Sequence, residues 1–299
     1  FSGNRTNGTS SQGGGVYARH DGSGNIIVAQ NTLSANSTKG TSAYGGGIYV
    51  SKTNDGCAMI SDNNVDGNSI DGTVGYGIGI YAIAGTNTTV EIVNNTVANN
   101  SSVSSTRGFG GIVTTTISGG EVLIQQNHVS GNLAGISTSG AGNTQVAANV
   151  VTENQSSGIT CSSAGITMVE GNVVNGNQSS GIAAGADSAA TVLIERNTVS
   201  SNSVGISVSS TPSSTGMVEV NENLVSGNSS TGISLSALGG TIRTARNVVN
   251  GNFSTGMRLI ARGGAIRSVG NVVTGNYSKL SAGGGLILTA QNGGTVSVA

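Results

Sequence analysis

The sequence of 299 residues contains no tryptophan, one proline (Pro212), three phenylalanines and only 8% charged residues. A core built on large aromatic side chains is therefore excluded. The 35% of hydrophobic residues are mostly Val, Ile and Ala, small or β-branched side chains suited to closely stacked strands. No run approaches the roughly 18 apolar residues that a membrane-spanning helix requires, so no membrane insertion is expected of this segment. The first residues, from "FSGN" onward, do not read as a signal of basic, apolar and small-residue regions. The two cysteines, Cys57 and Cys161, fall about four repeat turns apart, too far for a disulfide, and read as small apolar fillers. No metal-ligand spacing, phosphate-binding glycine loop or basic-aromatic interleaving is present, so neither a cofactor, a metal nor a nucleic-acid partner is expected.

What the chain has in abundance is glycine, 50 residues of it, and one recurring phrase, Asn-x-Val-x-x-Asn or a close variant. Its first asparagines are Asn31, Asn63, Asn95, Asn127, Asn149, Asn172, Asn197, Asn223, Asn247 and Asn271. Five residues later stand Asn36, Asn68, Asn100, Asn132, Asn154, Asn177, Asn202, Asn228, Asn252 and Asn276, and Asn4 closes a truncated earlier copy. Copies are 32 residues long over residues 1–132 and mostly 22–26 residues long over 133–299. Repeats of this length signify a solenoid, read here as a single domain spanning 1–299. A second anchor recurs between the phrases, a Gly followed by an aliphatic residue, as in Gly47-Ile48, Gly205-Ile206 and Gly232-Ile233.

Alternation supplies the secondary structure. After each anchor, Ile48/Val50, Ile80/Ala82, Ile206/Val208, Ile233/Leu235 and Met257/Leu259 are expected to face inward, with Tyr49, Tyr81, Ser207, Ser234 and Arg258 facing out. Three strands of three to five residues and three turns fill a 22-residue copy and leave no room for a helix. The fold class is thus all-β, a parallel β-helix of about 11 three-strand rungs with two asparagine ladders. In such a stack an inward amide donates to the rung on one side and accepts from the rung on the other. Asparagine also tolerates the left-handed conformation of a sharp corner, so both asparagines are expected to sit at corners.

"FSGN" followed by "GGGVY", and "LSAN" followed by "GGGIY", resemble the FxxN and GGA-aliphatic repeats of chlamydial polymorphic outer-membrane proteins and related autotransporter passengers. More broadly, the whole chain is similar to right-handed parallel β-helix repeat proteins. The narrow resemblance is closest over residues 1–132 and departs afterwards, where Phe becomes Val and GGA becomes Ser-Gly-Ile or Thr-Gly-Ile. The resemblance implies the right hand of the coil, a bacterial cell-surface or secreted location and an adhesive role toward a surface glycan or protein. Neither end offers a polar cap, so the chain is expected to be a fragment of a longer one, with ends covered by flanking domains or by end-to-end copies in a filament.

Three constellations stand out from the ladder background. Tyr17, Tyr49 and Tyr81 recur every 32 residues, and Tyr44, Tyr76 and Phe109 precede the glycine anchors. Stacked rings could present a flat platform for a sugar or a protein, or simply brace neighbouring rungs. Second, all 13 acids and six of the 12 bases lie in residues 1–222, whereas residues 223–299 hold Arg243, Arg246, Arg258, Arg262, Arg267 and Lys279 and no acid. Arg243 and Arg267 share an outward column on adjacent rungs, opposed only by Glu219, a candidate patch for acidic glycans. Third, Glu170 and Glu195 share a column, with Glu222 and Arg196 nearby. Two carboxylates ~5 Å apart would couple and raise one pKa, as a polysaccharide hydrolase or lyase could use. The leading expectation is a non-catalytic stalk with an adhesive surface; the alternatives are that enzyme and a structural filament subunit.

Overall fold

The computed structural model describes residues 1–102, 110–117, 119–186, 190–210, 216–278 and 284–299. Phe109 and Lys279 lie outside these residues. The described chain consists of β-strands and turns, without an α-helix, and it divides into two compact units, Phe1–Ser156 and Ser157–Ala299.

In the second unit each rung has the expected three strands. Ser180–Ala186, Thr191–Glu195 and Thr198–Ser200 make one rung, and Val204–Ser210, Met217–Asn221 and Leu224–Ser226 the next. Strands pair parallel and in register with their equivalents in the adjacent repeat, for example Val199 with Val225 and Ile206 with Ile233. The first unit departs from the expectation of short strands. Its 32-residue rungs carry an additional strand, Ser37–Tyr44 or Ser69–Tyr76, and the two strands after the glycine anchor merge into Ile48–Ser61 and Ile80–Val93. The ten extra residues per rung thus build a further sheet on Arg5–Asn7, Ser10–Gln12 and Ser101–Ser102.

The core is a stack of aliphatic columns. Ile48, Val50, Ile80, Ala82, Ile206, Val208, Ile233, Leu235, Met257 and Leu259 are all buried, as the alternation requires. Fully burying one Val or Ile side chain contributes about 1.5–3 kcal/mol, so many small columns replace the missing aromatic core. Cys161 is buried within this core and Cys57 is half-buried, neither in a disulfide, and burial raises the pKa of Cys57.

The asparagines form ladders in each unit. Within each unit, a ladder amide Oδ1 accepts both the backbone N–H and the side-chain Nδ2 of the ladder residue that precedes it in that unit, at 2.8–3.3 Å. The remaining Nδ2 hydrogen reaches backbone carbonyls, as Asn95 does to Ile60 at 2.9 Å. The corner itself, however, belongs to another residue. The left-handed conformation is taken by the residue before each ladder asparagine, among them Gln30, Asp62, Asn94, Arg196, Glu222 and Arg246 in the first column and Ala35, Gly67, Glu153, Gly227 and Gly251 in the second. A ladder asparagine must hold its amide inward in line with its neighbours, so the bend falls one residue earlier. Glycine fills many of these positions because it bears no Cβ penalty there.

The glycine anchors have a different cause. A Cβ on Gly181 would lie 2.5 Å from Val199 Cγ1 and 2.7 Å from Asn202 Nδ2, and a Cβ on Gly232 would lie 2.6 Å from Val249 Cγ1 and 2.7 Å from Asn252 Nδ2. The anchor leaves room for the core valine and the second ladder asparagine, which ties the two sequence motifs together.

Two interior features were not expected. Lys52 is fully buried among the inward columns, and its Nζ donates to the backbone carbonyls of Gly22 and Asn54 rather than to a carboxylate. Thr114 and Thr138 pair in register in the core, and among the described residues their hydroxyls find no hydrogen-bond partner. An unbonded buried hydroxyl costs about 1–3 kcal/mol. Thr138→Val keeps the shape and removes that cost, so it is expected to stabilise the protein by about 1 kcal/mol, read as a higher urea midpoint at unchanged slope. A lowered midpoint would show that the hydroxyl is satisfied.

Candidate functional site

The tyrosines do not form an open platform. Tyr49 and Tyr81 project from the outer side of Ile48–Ser61 and Ile80–Val93 as expected, yet they are only 6% and 7% exposed. The strands Ser37–Tyr44 and Ser69–Tyr76 fold back over them and lay Tyr44 and Tyr76 on top. Tyr44 and Tyr76 stack at 5.5 Å, Tyr17 and Tyr49 at 5.1 Å, and Tyr44 meets Tyr49 edge-on at 6.4 Å. Val113 closes the cluster, and burial raises the pKa of both Tyr49 and Tyr81. Of the five tyrosines in this cluster, Tyr17 is the exposed one, at 48%. The sequence could not show this covering, because the additional strand that provides it reads as loop.

The glutamates of the second unit are held by arginine. Glu170 and Glu195 stand in register on adjacent strands, as expected. Arg196, on the left-handed corner, spans them: its guanidinium lies 2.5 Å from Glu170, 3.4 Å from Glu195 and 3.9 Å from Glu222. Glu222 is also bonded by Arg246 at 2.5 Å, and that hydrogen bond and charge, with Arg196 adding, hold it below the usual carboxylate range. Arg196 thus ties the two in-register carboxylates and Glu222 into one surface ion-pair network. Arg196 was visible in sequence, but its reach to three rungs' carboxylates follows from the corner column.

The same corner column forms one wall of a groove of about 390 Å³ lined by Glu219, Asn221, Arg243, Thr244, Ala245, Arg246, Arg267 and Val269. Arg243 and Arg267 pair in register on the strands Thr241–Ala245 and Ala265–Val269 and stand on one side. Arg246 stands on the other, and the small outward residues Ala245 and Val269 lie between them. Glu219, one rung earlier in the Arg243 column, bonds Arg243 at 3.0 Å. Arg267 is exposed, and among the described residues it makes no ion pair. The groove thus has an exposed guanidinium without an ion pair beside a second one paired with Glu219, an arrangement able to bind a carboxylate or another oxyanion through the guanidinium forks. Arg258 and Arg262 lie on Met257–Arg262, exposed, and do not line it.

Residues 47–217, more than half of the chain, match the family model described as right handed beta helix region, and the chain belongs to this family. The hand of the coil, implied until here by resemblance, is thereby given. Among solved structures, the chain is similar to the periplasmic alginate epimerase AlgG, with a TM-score of 0.50 at 13% identity over 92% of this chain and 77% of that one. The Dettilon tailspike protein gives 0.49 at 14% identity over 92% of this chain, which spans 62% of the tailspike's length. The A-module of the Azotobacter vinelandii mannuronan C-5 epimerase AlgE6 gives 0.46 at 15% identity over 96% and 91%. Identities this low concern the fold alone. No curated protein sequence matches the chain.

Proposed function

We propose that the protein is a non-catalytic, extracellular or cell-surface β-helix whose flank serves as an adhesive surface for an acidic ligand. The observation that carries this reading is the groove in which Arg243 and Arg267 stack while a single acid, Glu219, compensates them. Like charges on directly opposed positions of adjacent strands are unfavourable unless an anion bridges them. The motif resemblance over residues 1–132 supports the surface location. The reading of Glu170, Glu195 and Glu222 as a catalytic set has less support, because Arg196 engages all three.

The test is binding to an array of neutral and acidic glycans at low and at physiological salt. Binding to acidic glycans is expected, weakened by salt, and the double variant Arg243→Ala/Arg267→Ala should weaken it at least about tenfold, the loss of one charge-assisted contact. Unaltered binding by the variant would remove the groove from the account. Cleaved glycan that disappears with Glu195→Gln would replace adhesion by catalysis.

A further inference from the structure

Resting on that reading, we infer that the groove takes a glycan with widely spaced carboxylates and discriminates against densely charged polyanions. The argument lies in the order of charges from rung to rung. Arg196 reaches back one rung to Glu170, Arg243 to Glu219 and Arg246 to Glu222. Arg267 follows the same column as Arg243, but the residue one rung behind it is Arg243 itself, so among the described arginines that line the groove it is the one without a carboxylate partner.

Successive rungs are about 4.8 Å apart. A carboxylate bridging Arg243 and Arg267 therefore has Glu219 and Glu222 as its next neighbours along the coil, and Glu195 one rung further. A polyanion with a charge on every unit would place its second and third charges against a surface where four carboxylates, Glu170, Glu195, Glu219 and Glu222, outnumber the three arginines paired with them, Arg196, Arg243 and Arg246. A sugar chain with neutral residues between its acids would instead offer hydroxyls, which donate to carboxylates. Glu219 is well placed for this, at one end of the groove with its side chain 20% exposed. The isolated cation thus selects the acid, and the acids behind it set the spacing.

The experiment measures the affinity of hyaluronan oligosaccharides, with one carboxylate per disaccharide, and of inorganic polyphosphate, charged on every unit, at physiological salt. Wild type, Glu219→Gln/Glu222→Gln and Arg267→Ala are compared after their thermal unfolding has been checked. Wild type should prefer hyaluronan, the double glutamine variant should gain at least about tenfold toward polyphosphate without a matching gain for hyaluronan, and Arg267→Ala should weaken both. Failure of wild type to bind hyaluronan, polyphosphate bound as tightly as hyaluronan, or a double variant indifferent to polyphosphate overturns the spacing rule. In those cases salt-sensitive binding to other acidic glycans that requires Arg243 and Arg267 leaves the adhesive reading standing. An Arg267→Ala protein that binds both ligands as wild type does overturns the two together.

Discussion

Asn95→Ala is expected to lower the stability of the protein by about 3–5 kcal/mol. The amide of Asn95 accepts the backbone N–H and the side chain of Asn63, both at 2.9 Å, through one oxygen. It donates to Ile60 O at 2.9 Å, Val93 O at 3.0 Å and Asn127 Oδ1 at 3.0 Å. Alanine strands a backbone donor and several acceptors at a position only 1% exposed, where water cannot replace them. Each buried group left unbonded costs about 1–3 kcal/mol, and partial relaxation keeps the total below the sum. The comparison is with Thr96→Ala, next in sequence but exposed, which should change stability by no more than about 0.5 kcal/mol. Equal urea midpoints for the two variants would show that the ladder is an ornament of the fold rather than part of its stability.

Gly205→Ala should also be strongly damaging, and for a reason independent of hydrogen bonding. A Cβ there would meet Gly232 O at 2.4 Å, Val225 Cγ1 at 2.5 Å and Asn228 Nδ2 at 3.0 Å. A backbone carbonyl cannot rotate away as a side chain can, so the rungs themselves must separate, and a loss of about 3 kcal/mol or outright insolubility is expected. Gly227→Ala is the informative partner. Its Cβ would meet nothing within 4 Å, but its φ of 62° is left-handed. That substitution should cost about 1 kcal/mol, the ordinary penalty for a side chain in this conformation, and Ala35 and Ala148 already tolerate it. Thermal unfolding of both variants separates the two roles of glycine. Wild-type behaviour of Gly205→Ala would contradict the packing of the anchor.

The repeat phrase made the ladders and the buried columns legible, because a period of two within strands and a fixed spacing between copies leave one arrangement that buries every aliphatic residue. Asn63, Asn68, Ile80, Ile206 and Leu235 stand where that logic puts them. The corner was misplaced by one residue, since asparagine suits both a ladder and a left-handed turn. Only the requirement that its amide stay in line decides between them, and the frequent glycines just before it were the overlooked signal. Lys52 was missed because nothing in sequence shows that backbone carbonyls would enclose a cation.

By itself, then, the sequence determined a parallel stack of rungs, its two ladders, and the shared columns of Glu170 with Glu195 and of Arg243 with Arg267. These all follow from local spacing, which stacking copies into registered neighbours at once. Tertiary structure decided what covers and what pairs with each column. An additional strand buried Tyr49 and Tyr81, and a corner side chain tied three glutamates to Arg196. Rung order left Arg267 with an arginine behind it where its neighbours have acids. Exposure and charge pairing depend on the three-dimensional reach of side chains from other columns, and the repeat alone does not encode that reach.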